Sequence, residues 1–291
     1  MYFSEREQGF PTPNVEEIGA AFWGAFVAII NSRMHDGAFA EAFPFNCPDK
    51  PLLIQSDNDS LGLAVKGAHP EIPWPLEPGN VPETLAVLDL VEFFFRIVSV
   101  ATDRVFHDWW GGHYDILRFN KWGGQRQYRE AVDELFRRNR HPYELLENGE
   151  VRRIFSGPIQ RILDIGPFQT GDTELDRLLT QARDRFYNPD PAARRESLER
   201  LWDAWQRVKT LEDPETKQGV RKLLESAESQ APFRDLLDEE GKRLTEIGND
   251  FMIRHTETTK VPITDLDQVD YLFHRLYALL WFLLKRTNRI T

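Results

Sequence analysis

Two short stretches of this chain gather side chains able to bind oxyanions, move protons or hold a metal. In the first, an apolar helical pattern ends in Arg254-His255-Thr256-Glu257-Thr258-Thr259-Lys260, four ionisable groups within seven residues. One further helical turn would bring Arg254, His255, Glu257 and Lys260 near one another at a helix end. A helix C-terminus also collects cations for an ordinary reason, because its unpaired carbonyls and dipole attract them. The second stretch is His107-Asp108-Trp-Trp-Gly-Gly-His113-Tyr-Asp115. Two imidazoles with Asp108 and Asp115 are metal-ligand types, but the histidines straddle a Gly-Gly break and no third clear ligand is near in sequence. The plainer reading of that stretch is an aromatic-rich helix end packed on the core.

Other chemistry is weakly indicated. Cys47 is the single cysteine, which excludes an internal disulfide, fits a reducing cytosol and leaves no Cys/His nucleophile motif. His141 beside Arg137, Arg138 and Arg140 could meet a phosphate, though no motif accompanies it. His274 on the last helical pattern reads as a core or interface histidine. There is no phosphate-binding Gly-rich loop, dinucleotide fingerprint or His-Glu-x-x-His, so no cofactor and no metal are expected.

The elements that must position these groups are mostly helical. Asn14 suits the N-cap of a helix from Val15 to about Arg33, and residues 44–82 are dense in proline and read as a long irregular segment. From Glu83 to about Trp110, apolar residues at three- and four-residue steps predict one long helix, stopped at Gly111-Gly112. A further helix spans about Gln125 to Arg138, and Asn148-Gly149 between short extended runs predicts a β-hairpin. Residues 156–171 form the expected boundary. Beyond it Asp172, Asp190-Pro191, Asp213-Pro214, Pro232 and Thr264/Asp267 start five amphipathic helices with short connections.

The expected architecture is therefore predominantly α, with a helical domain over 1–165 carrying a small β-hairpin and an antiparallel bundle over 172–291. With 291 residues, 41% hydrophobic, two domains with real cores fit. A formal charge of −11 weighs against non-specific nucleic-acid binding, leaving only local basic clusters at 137–140, 152–153 and 285–289. No secretory signal and no apolar run of about 20 residues is visible, so the chain is expected to be cytoplasmic and off the membrane.

The C-terminal helices, with Leu201-Trp-Asp-Ala-Trp-Gln-Arg-Val-Lys-Thr-Leu211, Leu244-Thr-Glu-Ile-Gly-Asn249 and Ile253-Arg-His-x-Glu257, resemble the C-terminal region of AbiJ-type abortive-infection proteins, a branch of the HEPN superfamily of helical bundles. That resemblance covers about 120 residues and implies a homodimer through the bundle and an anti-phage toxin or effector. It further implies metal-independent cleavage of RNA, with a defence-system partner protein as a further expectation. The family signature is an Arg, usually followed by a polar residue, and then a His after four to six positions. Arg254 and His255 match its first half; no His follows at 259, 260 or 261, and Lys260 stands at one of those positions. A lysine near pKa 10 is a poor general base at neutral pH unless burial lowers it. Under the resemblance, Arg254 would hold phosphate and His255 would act as acid or base, oriented by Glu257. The alternative is a non-catalytic interaction or sensor module.

Overall fold

A computed structural model describes residues 3–108, 111–155, 163, 168–253 and 260–290. The chain divides into two compact units, Met1–Ile154 and Phe155–Thr291.

The first unit is mixed, which corrects the expectation of a predominantly α chain: strands form 12% of the structure beside 56% helix, and they include a four-stranded antiparallel sheet. Its helices are α1 (Phe3–Gln8), α2 (Ala20–His35), α3 (Asn58–Ala68), α4 (Thr84–Ile97) and α5 (Lys121–Arg138). The sheet contains β1 (Pro44–Asn46), β2 (Leu53–Ser56), β3 (Val100–His107) and β4 (His113–Asn120), in the order β1-β2-β4-β3.

The helix expected from Glu83 to about Trp110 ends at Ile97 and gives way to β3. The spacing of Val91, Phe95, Val98, Thr102 and Val105 matched a helix, but the second half is rich in β-branched residues, which are stiff at χ1 and favour a pleated surface. Asp103, at φ 51, would also break a helix there. Residues 44–82 are likewise not irregular throughout. Their proline-free middle forms β2 and α3, the latter capped by Asp57, whose carboxylate accepts from Asp59 N and Ser60 N. Helix α2 starts at Ala20 and not at Val15; the backbone N–H groups of Asn14 and Val15 both donate to Arg140 O.

The core of this unit packs α2, α4 and α5 through Phe22, Trp23, Phe26, Phe94, Tyr128 and Phe136, each inaccessible to solvent. Helix α5 comes so close to the start of β3 that a Cβ at Gly124 would meet the Ser99 backbone at 2.4 Å. The expected hairpin is present as β5 (Tyr143–Leu145) and β6 (Val151–Arg153), with Gly149 at φ 89.

The second unit contains α6 (Thr173–Tyr187), α7 (Pro191–Val208), α8 (Thr216–Ala227), α9 (Ala231–Asp250) and α10 (Leu266–Arg286). Asp172, Asp190, Glu215 and Asp265 cap four of them by accepting backbone N–H groups, which orphaned first-turn donors require. Trp202, on α7, fills the centre and donates to Leu244 O at 3.0 Å. It can do so because Gly248 has no side chain: a Cβ there would sit 2.2 Å from the Trp202 indole nitrogen. Phe186 and Phe273 stack at 3.7 Å between α6 and α10. Among the described residues no helix is long and apolar enough to cross a membrane.

Candidate metal centre

Strands β3 and β4 pair so that His107 lies directly opposite His113, and Val105 opposite Asp115. Cross-strand partners share a face and side chains on one strand alternate, so His107, His113 and Asp115 all project from the same face at the end of this hairpin. Gly111 and Gly112, at φ 83 and 79, lie in the connection between the strands. The β1–β2 turn supplies the fourth group: Cys47 N donates to Leu52 O at 2.7 Å, holding the thiol at the turn's neck.

The result is a cluster of Cys47, His107, His113 and Asp115 with one ligand atom from each within 4.8 Å of the others. Cys47 Sγ is 3.5 Å from His107 Nδ1, which is 3.5 Å from Asp115 Oδ2. His113 Nε2 is 3.2 Å from Asp115 Oδ1. A tetrahedral ion with bonds of about 2.0–2.3 Å needs ligand–ligand edges of roughly 3.3–3.7 Å, so these distances are close to those of a formed site. Cys47 is 5% exposed and Asp115 1%, and burying a carboxylate away from water is costly unless a cation compensates.

Two groups surround this set. Asp49 Oδ2 lies 3.3 Å from His107 Nε2, on the ring edge opposite Nδ1. This is the carboxylate–histidine arrangement that fixes which nitrogen meets a metal. Lys50 Nζ lies 4.0 Å from Asp115 Oδ2.

The residue types of His107, His113 and Asp115 mark them as possible ligands in the sequence, but the stretch reads there as a broken helix end, and nothing local joins Cys47 or Asp49 to it. The available signal was the strand period: His113-x-Asp115 puts two ligands on one face, and Cys47 sits in a turn between Pro44 and Pro51. Asp108 is not part of the cluster.

Of the residues predicted for the other site, Arg254, His255 and Glu257 lie outside the described residues. Lys260 is partly buried and precedes Val261, which bridges to Phe251. His141 is 2% exposed with Nδ1 2.6 Å from Val15 O, so it is a core residue of the first unit. Burial pushes its pKa down. His274 packs edge-on against Phe155 and Phe186. Within the basic clusters, Arg138 pairs with Glu5 and Glu134, Arg152 with Glu144, Arg153 with Glu16, Arg286 with Glu228 and Arg289 with Glu212.

No family model, curated protein or solved structure matches this chain.

Proposed function

We propose that the first unit binds one divalent ion of the zinc class through Cys47 Sγ, His107 Nδ1, His113 Nε2 and Asp115, and that the ion is a structural staple. The observation that carries this reading is the convergence of four ligand atoms of suitable type from three separate chain segments. Thiolate, imidazole and carboxylate together suit tetrahedral Zn²⁺ over Ca²⁺ or Mg²⁺, which prefer oxygen. Four protein ligands close the coordination sphere, whereas catalytic zinc keeps a position open for water. A thiolate and a carboxylate neutralise the ion's two charges, so the filled site can stay buried. Its effect is to tie the β1–β2 turn to the end of the β3–β4 hairpin. Metal analysis of the purified chain should give one zinc per chain. Co²⁺ substituted for it should show thiolate charge-transfer and tetrahedral d–d bands that vanish in Cys47→Ser. A folded protein that takes up neither ion sinks this reading.

For the second unit we infer an anti-phage effector that cleaves RNA as a dimer, with a non-catalytic sensor as the alternative. What supports it is the Ile253-Arg-His-x-Glu257 sequence just beyond the end of α9, in a unit whose described elements are five helices, together with the AbiJ-type resemblance. Arg254 would hold the phosphate and His255 would exchange the proton of the 2′-hydroxyl. Purified protein incubated with total RNA should cleave it, and Arg254→Ala and His255→Ala should not. Absence of cleavage by the parent chain favours the sensor.

A further inference from the structure

Between the C-terminal end of α7 and the facing sides of α8 and α9 lies a cavity of about 690 Å³. That volume is in the range of small-molecule sites, about 300–1,000 Å³. Its floor is apolar, formed by Trp205, Val220, Leu223, Leu224 and Leu237. The floor is built and not accidental. Trp205 is fixed by donating to Thr245 Oγ1 at 3.0 Å, and its ring lies against Gly241, where a Cβ would come within 3.0 Å.

The rim has the opposite charge to the chain as a whole. Lys209, Lys217, Arg221, Arg234 and Lys242 line the cavity with Asp235, Asp238 and Glu246, a net positive wall in a chain of formal charge −11. Two of those acids are already engaged, Asp238 by Lys242 at 2.6 Å and Glu246 by Arg243 at 3.0 Å. Among the described residues, no ion pair involves Lys217 or Arg234. Lys209 is 7% exposed, and its ammonium meets the Thr245 hydroxyl at 3.5 Å and the Trp205 ring face at 5.6 Å. A net positive rim over an apolar floor favours a ligand that brings a negative head and a hydrocarbon tail.

We propose that this cavity binds a single-chain amphipathic anion, with the acyl chain on the Trp205–Leu237 floor and a carboxylate or phosphate head at Lys217 and Arg234. Charge complementarity sets the head and the apolar floor sets the tail. A neutral or cationic amphiphile would keep the floor contacts but lose or oppose the rim.

Calorimetric titration of the full chain with dodecanoate, dodecyl phosphate and dodecyltrimethylammonium, each below its micelle concentration, tests this. Either anion should bind one per chain, and whichever is tighter names the head. The cation should bind on the order of tenfold more weakly or not at all. Lys217→Glu combined with Arg234→Glu alters two rim side chains outside the core, so it should leave the melting temperature unchanged and weaken the anions about tenfold. Val220→Trp, which fills the cavity, should abolish binding of every tail; if it does not fold, the rim variant decides. Equal binding of anion and cation, unchanged affinity in the rim variant, or no binding of either anion overturns the proposal.

Discussion

The Asp49 carboxylate sits 3.3 Å from His107 Nε2, while the other ring nitrogen of His107 faces Cys47 Sγ at 3.5 Å. Asp49 thereby sets the His107 tautomer that leaves Nδ1 free to ligate. Asp49→Ala removes no ligand, so the variant should still bind one ion, but roughly 10–100-fold more weakly. Competition with a chromogenic zinc chelator measures this. Loss of binding as complete as in His107→Ala would make Asp49 a ligand and not an orienting group.

Removing the ion should act on the first unit alone. Chelation by phenanthroline is expected to lower the melting temperature of that unit and leave the second unit's transition in place. The reason is that ion binding favours only the state in which the two turns are held together. Scanning calorimetry with and without chelator separates the two. His113→Ala should reproduce the chelated melt without chelator.

Asp133 gives a pH dependence with a definite sign. Burial raises its pKa from 3.8 to about 6, against the opposing effect of a hydrogen bond from Leu145 N, 2.8 Å away. Between those values the folded chain binds more protons than the unfolded one, so stability falls as pH rises through this window. The loss is complete above about 6 and absent below 3.8. Partial exposure trims its size. Asp133→Asn retains an acceptor for Leu145 N and should flatten this part of the stability–pH profile in urea melts. An unchanged slope would show that another group carries it.

Gly248→Ala should destabilise the second unit by ~1–3 kcal/mol, because its new methyl group needs the space taken by Trp202. Trp202 cannot retreat without giving up its bond to Leu244 O. Denaturant unfolding measures the cost. An exposed control such as Gly67, where a Cβ meets nothing within 4 Å, should show little change.

Much of the second unit could be read from the chain because its signals are local. Asp172 and Asp190-Pro191 start α6 and α7 as expected, and the apolar residues of each helix recur at the helical period. Asp213-Pro214 is two residues early, since Glu215 provides the cap of α8. The same periodicity predicts a helix through Val98–Val105, where the chain forms β3. A three- or four-residue spacing and a strand period both fit a short apolar run, and only pairing with β4 decides between them.

The amino-acid sequence by itself determined the starts of α4, α6 and α7, the Asn148-Gly149 hairpin and the identity of three of the four metal-ligand candidates. It did so because caps, turns and period depend on neighbours within a few residues. Tertiary structure alone decided that β3 and β4 oppose His107 to His113, and that a turn sixty residues earlier in the chain delivers Cys47 to them. No local rule encodes that meeting. It follows from strand register and sheet order, which are settled only when distant segments pack and the backbone donors of β4 find partners on both sides.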